Sequence, residues 1–140
     1  GIDGSSSTAL GAADVTNKLT LLITGDLSFI YDQNSLWNSS IPKNLKIIVI
    51  NNQGGGIFNI IPGPKKTPYS EKHFETKHNL KLKNIARTFN INYQHAANEL
   101  EADKHLKRIL SSDETEILEL FTANSENEKI LFDYFKAIKN

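Results

Sequence analysis

Residues 19–28 read LTLLITGDLS, and residues 46–56 read KIIVINNQGGG. Both stretches begin with an apolar run (LTLLIT and KIIVI) whose length and β-branched composition are typical of a buried strand. The first run ends at Gly25 and Asp26, and the second ends at a pair of asparagines followed by three glycines. Two predicted strands therefore each end in an oxygen-bearing side chain beside glycine.

The rest of the chain alternates between predicted helices and strands. After the first strand, Ser28 is expected to cap a helix that runs to Trp37, and residues 41–44 form a turn into the second strand. Further helices are predicted over residues 82–89, 99–110 and 126–139, and further strands over residues 92–95 and 116–122. Strands separated by helices predict a single α/β domain over residues 1–140, in which helices cover both faces of a parallel sheet.

Asp26 and Asn52 have the chemistry and the placement of a metal site. They are 26 positions apart (52 − 26), and each follows a predicted strand. In parallel α/β sheets, ligands bind beyond the carboxyl ends of the strands. Mg²⁺ prefers carboxylate, amide and carbonyl oxygens and usually keeps substrate phosphates as further ligands. The glycines at 54–56 can present backbone N–H groups to such a phosphate. The sequence therefore predicts a metal–diphosphate site.

A Gly-Asp string followed by Asn-Asn resembles the signature of thiamine-diphosphate-dependent enzymes, although Leu27 stands where the signature has a second glycine. The longer strings GDLSFIYDQN at residues 25–34 and NNQGGGIF at residues 51–58 narrow the resemblance to one family among these enzymes. With GIDG at residues 1–4, they resemble the 2-succinyl-5-enolpyruvyl-6-hydroxy-3-cyclohexene-1-carboxylate synthases of menaquinone biosynthesis. The resemblance implies the thiamine-diphosphate-binding fold and the C-terminal cofactor domain of a longer enzyme.

The resemblance also implies an activity for the intact enzyme. This transferase decarboxylates 2-oxoglutarate on thiamine diphosphate and adds the resulting succinyl carbanion to isochorismate. It works with Mg²⁺, which Mn²⁺ can replace, as a cytoplasmic homo-oligomer (dimer or tetramer). The activating glutamate of the family lies in an N-terminal domain that a partner subunit supplies. No catalytic residue is therefore assigned within this chain, and the fragment alone is expected to be inactive.

Residue roles follow from the matching motifs. The metal ligands implied are the Asp26 carboxylate, the Asn52 side chain and the Gly54 carbonyl. The cofactor-binding residues implied are Ile2, Gly25, Asp26, Leu27, Ser28, Asn52, Gly54 and Ile57. The resemblance implies that Ile2 is the apolar wedge that holds the cofactor bent and so assists deprotonation of its thiazolium carbon.

Ile57, Phe58 and Ile61 resemble an apolar wall beside the thiazolium and the substrate, with Phe58 and Ile61 on the substrate side. Such a wall lowers the local dielectric constant and favours less charged states of the cofactor. The hydroxyls of Ser28 and of residues 5–7 can donate to the diphosphate.

Other interpretations remain open at this point. Asp26 can simply cap a helix while the asparagine pair forms a turn, residues 57–61 can be plain core, and the serines can be solvated. The enzyme can be another thiamine carboligase, of the acetohydroxyacid synthase type, although Leu27 argues against it. The chain can also be a non-catalytic diphosphate-binding or assembly module. No role is assigned to four basic residues: Lys65, Lys66, His73 and His78.

Composition excludes several classes of protein. The 140 residues carry 16 basic and 16 acidic side chains, so their formal net charge of +0 favours neither nucleic acid nor an anionic membrane as a partner. The absence of cysteine excludes disulfides and thiolate metal sites. No apolar run approaches the ~20 residues of a membrane span. Since the chain contains no methionine and opens inside a motif, we expect it to be a fragment.

Overall fold

The computed structural model describes residues 2–63, 67–122 and 124–139, without the side chains of residues 71, 124 and 125. In chain order the elements are α1 (Ser5–Asp14), β1 (Thr20–Gly25), α2 (Asp26–Tyr31), β2 (Leu45–Asn51), α3 (Leu82–Thr88), β3 (Asn92–Ala96), α4 (Glu99–Ser111), β4 (Glu116–Phe121) and α5 (Asn124–Ala137). Two 3-10 helices cover Gln33–Trp37 and Gly56–Asn59, and a π-helical turn covers Ser70–Phe74.

The described residues fall into two compact units. The first unit runs through Asn51 and resumes over Leu80–Phe121, so it contains the four strands and helices α1 to α4. The second unit comprises Asn52–Asn79 and the chain that follows Phe121. The chain thus passes from the first unit to the second at the asparagine pair that ends the second apolar run.

The first unit is built on a fully parallel sheet with strand order β1-β2-β4-β3. In this register Gly25 of β1 lies opposite Ile50 of β2, and Asn51 of β2 lies opposite Phe121 of β4. The carboxyl ends of the strands therefore lie along one edge of the sheet. The predicted parallel α/β architecture is confirmed.

Helices cover both faces of the sheet because the side chains of β2 and β4 alternate between two apolar clusters. The larger cluster combines α1, α2 and α3 with one face of the sheet and includes buried Ala13, Phe29, Leu45, Ile47, Val49, Leu82, Ala86 and Ile117. The smaller cluster packs Leu106 and Ile109 of α4 against Ile48, Leu118 and Leu120. This arrangement is the predicted three-layer α/β/α arrangement.

The prediction that Ser28 caps the helix after β1 is wrong. Helix α2 already begins at Asp26, with Gly25 as its N-cap residue, so Ser28 lies within the first turn. The helix also ends at Tyr31, and a separate 3-10 helix carries the chain to Trp37. The cap moves three residues earlier, from Ser28 to Gly25, because the Asp26 carboxylate Oδ1 already accepts a hydrogen bond from the Leu27 N–H at 2.8 Å, which satisfies one of the first-turn donors.

Helix α4, which covers the second face, begins at a reciprocal cap. The Glu101 N–H donates to the Asn98 side-chain oxygen at 3.0 Å, and the Ala97 N–H donates to the Glu101 carboxylate at 2.9 Å. The hydrogen bond from Ala97, followed by the contact with Asn98, holds the pKa of Glu101 below its usual value. The two bonds resemble a capping box in which the carboxylate reaches one residue further back.

We predict that Asn98→Ala lowers the free energy of unfolding by about 1 kcal/mol, since the Glu101 N–H then loses its side-chain acceptor. Urea denaturation followed by circular dichroism measures the change. Asn98→Ser is the control, because a serine hydroxyl can accept the same bond and should restore most of the loss. Equal loss in both variants would contradict the capping role.

Candidate cofactor site

Asp26 lies directly beyond β1, where its side chain is 2% exposed. It is the first residue of α2, and the Leu27 N–H donates to its Oδ1 atom. A carboxylate is favoured here because the first turn of a helix presents unpaired N–H groups and positive partial charge. The helix-start role that the sequence suggested as an alternative is therefore present, and it involves one oxygen of the carboxylate.

Asn51 ends β2, and Asn52 is the next residue in the chain. Asn51 is buried, and its side-chain Nδ2 donates to the carboxylate of Glu119 in β4. The hydroxyl of Tyr93 in β3 donates to the other oxygen of the same carboxylate. Sequence reasoning did not single out Asn51, Glu119 or Tyr93 as site residues. The sequence feature that could have pointed to Glu119 is its position in the middle of the apolar run of β4, EILELF.

The N-terminal segment is joined to the start of α2 by hydroxyl groups. The Ser28 hydroxyl donates to the Ile2 carbonyl at 2.9 Å, and it lies 3.1 Å from the Ser5 hydroxyl. The structure thus brings together Ile2, Ser5 and Ser28, three residues that the sequence assigned to the cofactor. The Ile2 side chain is 41% exposed. Ser7 is used differently, since its N–H and its hydroxyl both donate to Asp32 at 2.6 Å.

Glycine is required in the loop after Asn52 because another backbone segment passes very close to it. A Cβ atom on Gly54 would lie 2.8 Å from the carbonyl oxygen of Glu75, and one on Gly55 would lie 3.1 Å from the Phe58 ring. The Gly55 N–H donates to the same Glu75 carbonyl at 2.6 Å. The side chain of Asn59 donates to the Glu75 carboxylate, so Glu75 holds both ends of this loop.

Part of the predicted apolar wall lines a cavity within the second unit. This cavity of about 300 Å³ is bordered by Asn52, Gly56, Ile57, Asn59, Ile60, Asn127, Glu128 and Leu131. No local pattern in the sequence predicts that α5 contributes residues to this cavity. Ile57 is 56% exposed and Ile61 is 38% exposed, so neither is plain core within the described residues. Phe58 is half-buried, and its ring packs against that of Phe74 at 5.5 Å.

The sequence profile of the family described as "Thiamine pyrophosphate enzyme, C-terminal TPP binding domain" matches residues 4–120. The chain belongs to this family. The match covers β1, β2, β3, all of β4 except its last residue, and the loop that follows Asn52.

Relatives of this thiamine-pyrophosphate-binding domain carry the name predicted from its motifs. The chain is 48% identical over 136 residues to the 2-succinyl-5-enolpyruvyl-6-hydroxy-3-cyclohexene-1-carboxylate synthase of Flavobacterium psychrophilum, covering 97% of this chain and 25% of that protein. It is also 48% identical over 141 residues to the synthase of Christiangramia forsetii, and the match covers 100% of this chain and 24% of that protein. The chain thus spans about a quarter of the length of these relatives.

The fold of the domain is also found in a solved enzyme. The thiamine diphosphate-dependent 4-hydroxybenzoylformate decarboxylase of Rhodococcus jostii RHA1 superposes with a TM-score of 0.71 at 20% identity. The match covers 85% of this chain and 23% of that one. At this identity the likeness concerns the fold alone.

Of the basic residues that were left without a role, His73 and His78 belong to no metal-binding group in the described parts of the domain. No group of three or more His, Cys, Asp or Glu side chains lies close enough there to hold a metal ion. His73 is exposed, and its ring is tilted against that of Tyr69 with the ring centroids 5.9 Å apart, while Lys65 and Lys66 lie outside the described residues. Among the described helices, none is long and apolar enough to cross a membrane.

We predict that Gly54→Ala displaces the loop of this domain from Glu75 and lowers the free energy of unfolding by about 1–3 kcal/mol, the usual cost of overpacking. Urea denaturation gives the loss of stability, and hydrogen exchange at the Gly55 amide reports the weakened bond to the Glu75 carbonyl. Gly11→Ala in α1 is the control, since its Cβ would meet nothing within 4 Å. Unchanged exchange at Gly55 in the Gly54 variant would contradict the close approach.

Proposed function

We propose that the Asp26 carboxylate, the Asn52 side-chain oxygen and the Gly54 carbonyl bind Mg²⁺, with Mn²⁺ as a substitute, together with the diphosphate of thiamine diphosphate. The observation that carries this proposal is the placement of Asp26 and Asn52 directly after two neighbouring parallel strands of a thiamine-pyrophosphate-binding domain. All three donors are hard oxygen atoms, which suit a hard divalent cation. A single carboxylate among them is sufficient because the diphosphate supplies further negative charge.

The residues around these donors suit the diphosphate and the metal. A Cβ atom on Gly25 would meet nothing within 4 Å, so the backbone of this residue is open on that side. The loop at Gly54 and Gly55 is bare backbone held against Glu75. Such a loop can turn a carbonyl group towards a cation without a side chain in between, whereas the N–H groups of Gly55 and Gly56 already donate to the carbonyls of Glu75 and Gly54. Leu27 is the next residue after Asp26, and its N–H donates a hydrogen bond to the Asp26 carboxylate.

We further propose that Ile2 supports the thiazolium–pyrimidine bridge of the cofactor. Its position is supported by the hydrogen bond from the Ser28 hydroxyl to its carbonyl. Because that hydroxyl has one proton and donates it to the Ile2 carbonyl, Ser28 holds this segment and can donate only its backbone N–H, in the first turn of α2, to the diphosphate. Ile57, Phe58 and Ile61 form the apolar wall, of which Ile57 and Ile61 are exposed enough to contact a ligand.

For the intact enzyme we propose the activity named in its relatives. It acts on 2-oxoglutarate and isochorismate as a cytoplasmic homo-oligomer, and this chain is its cofactor domain. Bound thiamine diphosphate supplies the electron sink for cleaving the bond beside a 2-oxo group, while this chain anchors and orients the cofactor. The residue that activates the aminopyrimidine is expected from the part of the enzyme that this chain does not span.

We predict that thiamine diphosphate and Mg²⁺ bind to the chain jointly and that Asp26→Ala weakens this binding at least about tenfold, the scale of loss that even outer-shell substitutions produce. Isothermal titration calorimetry with the cofactor, with and without Mg²⁺, measures it. Asp103→Ala is the control, because Asp103 forms an exposed pair with Lys107 on α4. Binding that is indifferent to Mg²⁺ and survives Asp26→Ala would refute the site.

We predict that the chain alone does not decarboxylate 2-oxoglutarate at an enzymatic rate, since the group that activates the cofactor lies outside it. The full-length enzyme should turn over, and Asp26→Ala in that enzyme should abolish turnover. A coupled assay of carbon dioxide release compares the three proteins at equal cofactor concentration. Robust turnover by residues 1–140 alone would show that the activating group lies within this chain.

A further inference from the structure

Glu119 is a carboxylate where the pattern of the sheet calls for an apolar residue. It lies in the middle of β4, a strand whose other central residues are Ile117, Leu118 and Leu120, and its side chain is 1% exposed. A buried ionisable group is costly unless it is well hydrogen-bonded. A hydrophobic residue at this position would cost less, so the carboxylate calls for a specific explanation.

Both oxygens of the Glu119 carboxylate have donors from the neighbouring strands. Asn51 on β2 donates to Oε1, and Tyr93 on β3 donates to Oε2. In the sheet register, Glu119 lies opposite Val49 on β2 and His95 on β3. Asn51 is two residues after Val49, and Tyr93 is two residues before His95. All three side chains therefore lie on one face of the sheet and form a chain across its three strands.

Tyr93 is suited to remain a donor in this chain of hydrogen bonds. Burial, followed by the hydrogen bond to Glu119, raises the pKa of its hydroxyl above the usual value. The phenol therefore stays protonated throughout the neutral range. The Tyr93 hydroxyl therefore holds one oxygen of the Glu119 carboxylate from β3. The other oxygen accepts from the Asn51 side chain on β2 and so restrains it.

Asn51 is the residue that passes this restraint to the cofactor site. It is the last residue of β2, it is 2% exposed, and it is bonded directly to Asn52. We propose that Glu119 is a positioning residue for the metal: by holding the Asn51 side chain, it fixes the end of β2 and thereby the direction in which Asn52 presents its oxygen. This inference rests on the proposed function of Asn52 as a metal ligand.

The test uses the full-length enzyme and follows thiamine diphosphate binding as a function of Mg²⁺ concentration. Glu119→Gln keeps the size of the side chain but replaces one acceptor oxygen with a donor. We expect it to raise the Mg²⁺ concentration for half-maximal cofactor binding about tenfold, while kcat at saturating Mg²⁺ changes by less than about twofold. Tyr93→Phe frees only one carboxylate oxygen and should cause a smaller rise, so it serves as the milder variant if Glu119→Gln folds poorly.

Two further arms separate positioning from simple stability. Glu114→Gln removes the same charge from an exposed pair with Lys43 near the other end of β4, and it should leave the Mg²⁺ dependence unchanged. Asn51→Ala should also raise the Mg²⁺ requirement, and the Asn51→Ala, Glu119→Gln double variant should be no worse than Asn51→Ala alone, because Glu119 acts through Asn51. A purely structural role would instead lower the free energy of unfolding and leave the Mg²⁺ concentration for half-maximal cofactor binding unchanged.

The outcomes also distinguish this inference from the function on which it rests. If Asp26→Ala abolishes Mg²⁺-dependent binding while both Glu119→Gln and Tyr93→Phe leave it unchanged, the positioning role is refuted and the metal site stands. If Asp26→Ala also leaves binding unchanged, the metal site itself is refuted, and the positioning role with it. A raised Mg²⁺ requirement in the Glu119 and Tyr93 variants, with non-additivity at Asn51, supports the inference.

Discussion

The parallel pairing of β1 with β2 is the constraint on which the rest of this domain depends. Because both strands run in the same direction, Gly25 and Ile50 lie side by side, and each strand delivers its next residues to the same edge of the sheet. The central strand β2 is apolar on both faces, so polar groups that bind a ligand have to come from the strand ends. The proposed oxygen ligands of the domain, Asp26 and Asn52, therefore follow directly after strand ends.

Burying carboxylates near this edge requires donors, and the fold supplies them from different sources. Asp26 accepts the Leu27 backbone N–H, which the first turn of α2 provides. Glu119 receives side-chain donors from both neighbouring strands. Each carboxylate is thus oriented before any ligand arrives, which reduces the ordering that binding would require.

In the loop after β2, the close approach of another backbone segment, and not charge, decides which residues fit. Gly54 and Gly55 lie against the backbone near Glu75, where no side chain fits. Glu75 holds the loop twice, through its carbonyl and through its carboxylate. A backbone fixed in this way holds the Gly54 carbonyl, the proposed metal ligand, in a defined direction.

The sequence by itself determined the strands β1 and β2, the parallel α/β class and the polar residues at the strand ends, because apolar runs, glycines and motif spacing are local patterns. It misjudged the start of α2 at Ser28, since the Asp26 side chain supplies a local acceptor earlier in the chain. Only the tertiary structure revealed that Glu119 holds Asn51 across 68 positions and that Glu75 closes on the glycine loop. Such contacts produce no periodic pattern in the sequence, because they depend on which strands become neighbours and how closely two backbones approach.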